Sequence, residues 1–207
     1  HDFGGVVENV CVVPEGDEDV LYVCVKRDSY FRYIERLSTR QILDIKDSIF
    51  MDSALTYDGE NKDLNNYMIL TTGGGWNYTD TLTLTANLDT FTAADIGNEI
   101  HLTVNPNFGY GNILVKFKIN GFTNSKVVTG KPSKTVPNIL QNSATSFWSK
   151  AVDSLYGLFH LNNHYVSVLG DGFVVASPNN PSYDKVLVDR NKITLDKPYA
   201  KIQVGLP

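Results

Sequence analysis

Apolar and polar residues alternate in short runs along most of the chain. Residues 81–85 are the strictest example, with a threonine at every odd position and a leucine at every even one. Residues 113–119 repeat the pattern, because Lys116 and Lys118 alternate with apolar neighbours. A period of two places successive side chains on opposite faces of a strand. Such runs recur every 8–12 residues or so, which is typical of all-β sandwiches and barrels.

The pattern predicts a chain of strands with few and short helices. Residues 30–37 fit either a helix or a strand, and the alternation of bulky residues with arginines favours the strand. One short helix is predicted over residues 38–46, with Ser38 or Thr39 as its N-cap. The predicted strands are residues 6–13, 20–26, 30–37, 49–57, 67–70, 81–85, 100–104, 113–119, 126–128, 164–169, 173–176, 185–188, 193–195 and 200–204.

Charge is distributed unevenly along the 207 residues. The net charge is −5, and residues 1–60 hold 13 acidic residues against 6 basic ones, a local charge of −7. The chain therefore lacks the basic stripe with which proteins grip nucleic acid phosphates. It also lacks an apolar run long enough to span a membrane, so we expect no membrane span. Because residue 1 is His1 rather than Met, we interpret the chain as a piece of a longer protein.

The first two predicted strands flank an acidic turn and carry both cysteines. If residues 14–19 form the turn and Val13 faces Val20, then Cys11 faces Tyr22 and Cys24 faces Asn9. The thiols would then not be opposed, so we expect two small buried side chains rather than a disulfide. The turn itself contains four acidic residues, Glu15, Asp17, Glu18 and Asp19, and lacks the spaced oxygen ligands of a calcium loop.

Catalytic motifs are missing from the sequence. His160 and His164 have the spacing of zinc ligands on a helix, but the segment around them is typical of a strand and no third ligand is near in sequence. No nucleophile elbow, phosphate-binding glycine loop or dinucleotide fingerprint occurs. We therefore expect no enzymatic activity, no metal and no cofactor.

Four aromatic residues lie close to glycine-rich loops, where an exposed ring could stack on a sugar. They are candidate glycan contacts, and the alternative is that they pack at the rim of a core. The four residues are Trp76, Tyr78, Phe108 and Tyr110.

Seven short stretches together suggest a family. They read VVENVCVVP at 6–14, EDVLYVCVKR at 18–27, RYIERL at 32–37, IFMDSALTYDG at 49–59, LYGLFHL at 155–161, VSVLGDG at 166–172 and VGLP at 204–207. In this order they resemble the tail nozzle proteins of short-tailed bacteriophages, also called tubular tail or packaged-DNA stabilisation proteins. Ala54 stands where that family has glycine.

A further stretch, FTAADIGNEI at 91–100, resembles a small β-domain common in phage tail proteins. That domain is often named after a catalytic-cysteine half-domain of ubiquitin-activating enzymes, but neither cysteine of this chain lies in it. The order of the motifs implies that residues 71–145 are an inserted small β-sandwich or barrel. Residues 1–70 and 146–207 would then form a discontinuous, barrel-like β-rich flanking domain, and sequential domains are the simpler alternative.

The resemblance implies a structural subunit that assembles with itself into a ring of about six copies. Such a ring sits in the virion tail after assembly in the host cytoplasm, contacts adaptor and fibre or spike proteins, and conducts and retains DNA. An acidic bore would let DNA pass without specific binding, and residues 15–19 are a candidate for that surface. The alternative function is a carbohydrate- or receptor-binding module of a phage tail tip.

Overall fold

Strands dominate the folded chain. The computed structural model describes residues 5–27, 31–37, 49, 51–105, 113–177 and 185–207. Strands make up 60% of the structure and helical residues 5%, with no helix of seven residues or more. This confirms the predicted all-β class. The predicted helix at 38–46 lies outside the described residues.

The described strands form three antiparallel sheets, and none of these closes into a barrel. The sequence left open a barrel for the flanking or the inserted domain, but the described strands form open sheets instead. Among the described residues, three short 3₁₀ turns interrupt the strands, at Ala93–Asp95, Asn138–Leu140 and Phe159–Leu161. Within the described ranges, no helix is long and apolar enough to cross a membrane.

The chain divides into two compact units, each assembled from separated segments. The first unit comprises His1–Thr56, Tyr156–Ile193 and Ile202–Pro207, and the second comprises Tyr57–Leu155 and Thr194–Lys201. These boundaries differ from the predicted ones at 70/71 and 145/146. The glycine-rich stretch at 71–75 lies in the connection between two paired strands of one sheet in the second unit.

The first unit contains two sheets. A three-stranded sheet has the order β1-β2-β3, and a second sheet has the order β13-β12-β16-β4, with β14 also paired to β12. The strands are β1 Val6–Glu15, β2 Glu18–Arg27, β3 Phe31–Arg36, β4 Asp52–Asp58, β12 Tyr165–Gly170, β13 Phe173–Val174, β14 Lys185–Leu187 and β16 Lys201–Leu206.

The β12–β13 connection is a tight turn. Asp171 and Gly172 both have positive φ, at 51° and 85°. Glycine adopts this conformation at little steric cost, and aspartate tolerates it better than most residues. The turn lets Gly170 pair with Phe173 across the hairpin.

The second unit is built on one sheet with the order β10-β5-β6-β9-β8-β7-β11-β15. Its strands are β5 Met68–Thr71, β6 Leu82–Ala86, β7 Glu99–Thr103, β8 Leu114–Asn124, β9 Val127–Pro132, β10 Ala144–Thr145, β11 Trp148–Tyr156 and β15 Lys192–Tyr199. The alternation predicted for two of them is confirmed. Leu82 and Leu84 of β6 are buried while Thr83 is half-buried, and Phe117 of β8 is buried while Lys118 is exposed.

Large apolar side chains from these strands form the core of the second unit. Burying one leucine or phenylalanine side chain contributes roughly 1.5–3 kcal/mol to folding. The buried cluster consists of Met68, Leu70, Leu82, Leu84, Ala86, Phe91, Ile100, Leu102, Val115, Phe117, Ile119, Val128, Val136, Leu140 and Trp148.

Candidate functional site: the three-stranded sheet

The hairpin β1–β2 has the register that its sequence predicts. Val13 pairs with Val20, Cys11 with Tyr22 and Asn9 with Cys24. The cysteines are therefore not opposed, and both are free thiols. Cys11 is exposed and Cys24 is half-buried, so the expectation that both are buried is wrong for Cys11. The physical reason is that β1 pairs only with β2 among the described strands and is exposed along all ten residues.

Four acidic side chains meet at the end of this hairpin, which we call the acidic tip (Glu15, Asp17, Glu18 and Asp19). Glu15 ends β1, Glu18 and Asp19 begin β2, and the turn between them is Gly16–Asp17. Gly16 has a φ of +61°, which favours glycine. All four acidic residues are exposed. The four residues thus lie at one exposed hairpin end, and their place at a DNA-conducting surface stays a prediction.

Glu15 differs from the other three because its carboxylate is held by two neighbours. Arg36 of β3 donates to Glu15 Oε2 from Nε at 3.1 Å and from Nη2 at 2.9 Å. The Tyr22 hydroxyl donates to Glu15 Oε1. These hydrogen bonds, the one from Tyr22 first, lower the pKa of the Glu15 carboxyl. Among the described residues, no cation contacts the other three carboxylates of the acidic tip, so they carry its uncompensated charge.

A second Glu–Arg pair crosses the same face of the sheet. Arg32 Nε donates to Glu8 Oε2 at 2.6 Å and Arg32 Nη2 donates to Glu8 Oε1 at 3.2 Å. This hydrogen bond lowers the pKa of the Glu8 carboxyl. Both pairs join β1 to β3 across β2, so we call this the charged face (Glu8, Glu15, Tyr22, Arg32 and Arg36). Sequence reasoning noted the arginines only as polar positions, because the fold alone brings them to the acidic residues.

The opposite face of the sheet is anchored by a buried arginine. Arg27, at the end of β2, forms an ion pair with Glu35 and donates a hydrogen bond to the Ser53 hydroxyl. Its guanidinium also lies 5.2 Å from the centre of the Tyr33 ring. A buried charge is costly unless it is paired and hydrogen-bonded. These partners offset much of that cost, so the cluster is a structural anchor within the first unit.

The structure describes two of the four candidate glycan aromatics. Phe108 and Tyr110 lie outside the described residues. Trp76 is half-buried, packs against the core of the second unit and accepts a hydrogen bond from Val136 N at its carbonyl, at 2.9 Å. Tyr78 is exposed. Of the described pair, therefore, one ring is core packing and one faces solvent, and glycan binding stays a prediction.

The two histidines with zinc-like spacing each bind to backbone. His160 Nε2 lies 2.9 Å from the Ser53 carbonyl oxygen, and His164 Nδ1 lies 3.0 Å from the Asn162 carbonyl oxygen. Within the part of the chain that the structure describes, no three His, Cys, Asp or Glu side chains are grouped as a metal site requires.

The motif at residues 91–100 forms a buried polar cluster in the second unit. Asp95 Oδ2 accepts from Thr92 N at 2.8 Å and from Lys150 Nζ at 3.0 Å. Lys150 Nζ also donates to the Thr90 carbonyl at 3.0 Å. Burial alone would raise the pKa of the Asp95 carboxyl, but the hydrogen bonds from Thr92 and Lys150 outweigh it and lower that pKa.

The role of this cluster is structural. Phe91 fills the core beside it, and Gly97 takes a φ of +98° to end the turn. Sequence reasoning missed Asp95 and Lys150 as a pair, because the pattern of one segment cannot reveal a partner 55 residues away.

No family model matches the chain, and a search of curated proteins finds no match. The resemblance to tail nozzle proteins therefore stays a prediction.

Proposed function

We propose that this chain is part of a structural subunit of the tail nozzle of a short-tailed bacteriophage. The subunit assembles with itself into a ring of about six copies and contacts adaptor and fibre or spike proteins. The ring conducts DNA during ejection and retains it beforehand. Its place is the virion tail, after assembly in the host cytoplasm, and it performs no catalysis.

The observation that carries this proposal is the three-stranded sheet with its acidic tip. A subunit of this kind needs rigid strands with free edges for its neighbours, and β1 is exposed over all ten residues. It also needs a surface that does not hold DNA. Asp17, Glu18 and Asp19 repel phosphates because like charges face each other, so a duplex can slide past them.

The order of the sequence motifs is the second support. The segments that resemble the nozzle family at 6–59 and 155–207 supply the strands of the first unit, and the segment at 91–100 belongs to the second unit. The rival function, glycan or receptor binding, has Tyr78 as its one exposed aromatic among the described candidates. We therefore favour the nozzle subunit.

The test is to locate the chain in purified virions of the phage that encodes it. Antibodies against the chain, coupled to gold, should label the tail and not the capsid in electron micrographs. Labelling of the capsid, or virions that lack the chain by mass spectrometry, would contradict the proposal.

The luminal assignment of the acidic tip has its own test. The triple variant D17K/E18K/D19K reverses the charge of the three uncompensated acids and should slow DNA ejection in that phage, because lysines bind phosphates. Reversal of Asp63, an exposed acid of the second unit, is the control and should leave ejection unchanged. Normal DNA ejection in the triple variant would show that the acidic tip does not line the bore.

A further inference from the structure

The sheet of the second unit carries three lysines close together on one of its faces. Lys118 of β8 pairs with Lys131 of β9, and Lys116 lies two residues before Lys118 on the same strand. Paired residues, and residues two apart on one strand, project from the same face of a sheet. Phe117 between them is buried in the core, so the lysines project from the opposite face. We call these three residues the lysine face (Lys116, Lys118 and Lys131).

The charge of the lysine face is not neutralised within the chain. Lys118 and Lys131 are exposed and directly opposite each other, a placement in which like charges destabilise a strand pair. Glu99 of β7 pairs with Lys118 on the other side, and its Oε2 lies 3.3 Å from His101 Nε2. No ion pair joins the three lysines to any other described residue. Three lysines against one glutamate leave a charge of +2.

The overall charge of the chain hides this surface. Residues 61–145 hold six basic and five acidic residues. All five acids lie within residues 63–99, whereas five of the six bases are lysines within residues 116–134. Net charge counted over long segments therefore predicted no basic stripe. The basic surface forms because folding brings β8 and β9 side by side.

A threonine hydroxyl adjoins the lysine face. Thr129 lies two residues before Lys131 on β9, so it projects from the same face, and it is half-buried. Gly121 is its partner on β8, and a Cβ at that glycine would lie 2.6 Å from Thr129 Oγ1. The glycine therefore keeps the space beside this hydroxyl free of a side chain. Threonine hydroxyls and lysine ammonium groups both donate hydrogen bonds to phosphate oxygens.

We propose that the lysine face, together with Thr129, binds the phosphate backbone of duplex DNA without reading its sequence. Two residues rise about 7 Å along a strand and neighbouring strands lie about 4.8 Å apart, so the three ammonium groups reach one stretch of backbone. Lysine binds phosphate as a point charge. None of these residues is an aromatic on which the bases of a single strand stack, which favours a duplex.

The choice of DNA as the phosphate polymer rests on the proposed function. A nozzle subunit conducts DNA and also retains it before ejection, and retention needs a surface that binds phosphates. Binding through about three phosphates is weak and reversible, because each contact contributes only a modest, salt-dependent part of the affinity. Such a surface holds DNA without preventing its release.

The salt dependence of DNA binding tests the proposal. Fluorescence anisotropy of a short fluorescein-labelled duplex should show binding by the purified chain, with a slope of log affinity against log salt of about −2.7. This slope corresponds to about a 40-fold loss of affinity between about 50 and 200 mM salt. K116Q/K118Q/K131Q should abolish binding, and K118Q alone should reduce the slope to about −1.8. Absence of binding by the wild-type chain, or an unchanged slope in K118Q, would overturn the proposal.

A matched control separates the lysine face from net charge. K62Q/K185Q/K197Q removes three lysines that lie elsewhere and should keep the binding. Equal loss of binding in both triple variants would assign the effect to net charge and overturn the proposal. Loss of fold does not explain the expected result, because removing the repulsion between Lys118 and Lys131 should leave the urea midpoint of K116Q/K118Q/K131Q unchanged or slightly raised.

Two further measurements identify the occupant. Poly-glutamate should compete with the duplex much more weakly than unlabelled DNA does, and equal competition would indicate an acidic protein partner instead. Self-association at low salt that both K116Q/K118Q/K131Q and D17N/E18Q/D19N abolish would assign the lysine face to the acidic tip of a second copy. Either result would overturn the proposal.

The outcomes also separate this inference from the proposed function. A chain that is present in virion tails but does not bind the duplex overturns the role of the lysine face and leaves the nozzle function standing. A chain that binds the duplex through the lysine face but is absent from virion tails supports the surface and contradicts the nozzle function.

Discussion

The ion pair between Asp95 and Lys150 should make a large contribution to the stability of the second unit. Replacing Lys150 by methionine keeps most of the side-chain volume and removes the ammonium. The Asp95 carboxylate then stays buried without its counter-charge, and the Thr90 carbonyl loses a donor at 3.0 Å. Removing one partner of a buried ion pair costs about 3–5 kcal/mol.

Partial exposure lowers this figure. The side chains of Lys150 and Asp95 are 23% and 9% exposed, so solvent screens part of the interaction. Asp95 also keeps the hydrogen bond from Thr92 N. We therefore expect K150M to lower the free energy of unfolding by about 2–3 kcal/mol.

Urea unfolding followed by tryptophan fluorescence measures this quantity directly. Both tryptophans, Trp76 and Trp148, belong to the second unit and report its unfolding. The matched control is K62M, which breaks the Lys62–Asp58 pair in the same unit. Lys62 is 72% exposed, so this loss should stay below about 1 kcal/mol. If K150M lowers the free energy of unfolding by no more than K62M does, the reasoning is refuted.

The difference in the free energy of unfolding between wild type and K150M should depend on pH, because the pKa of the Asp95 carboxyl is lowered in the folded state. A carboxyl whose pKa is lower in the folded state than in the unfolded chain contributes stability above the unfolded value, near 3.9. That contribution is lost as the pH falls through the folded-state pKa. The gap between wild type and K150M should therefore be largest at neutral pH and shrink below about pH 4.

Three further predictions concern the second unit. L84A empties a fully buried core position and should cost about 2–5 kcal/mol in urea unfolding, whereas L64A, at an exposed position, should cost less than about 0.5 kcal/mol. G97A places a side chain on a residue with a φ of +98° and should lower the free energy of unfolding by about 1–2 kcal/mol. G73A, where an added Cβ meets open space, should be neutral or slightly stabilising. Equal effects of the two substitutions would contradict the strain argument. Burial, and after it the charge of Asp95, raises the pKa of the Tyr57 hydroxyl to about 12. The difference in phenolate absorbance between wild type and Y57F at high pH should therefore show one tyrosine that ionises near pH 12. Ionisation near pH 10 would show that the Tyr57 hydroxyl is solvated.

The strands could be predicted because their signals are local. The alternation around Leu84 determines which face is buried, and the turn after Pro14 determines that Val13 pairs with Val20. Both follow from the period of a strand and the length of a turn. Neither depends on a distant part of the chain.

The order of strands and the partners of charged residues could not be predicted in this way. The order β10-β5-β6-β9-β8-β7-β11-β15 depends on which long-range pairings bury the most surface, and no local pattern encodes it. The same holds for Glu8 and Arg32, which are 24 residues apart. The aromatic Trp76 was expected near a loop, and its half-burial depends on the core that other strands provide.

The size of the assembled protein tests the central proposal, a ring-forming structural subunit, most directly. Native mass spectrometry of the purified chain should give a single closed assembly. For a chain of 23.0 kDa, about six copies correspond to about 138 kDa, six times the mass of one chain. A monomer at every concentration tested, or an open series of sizes without a closed species, would contradict the account.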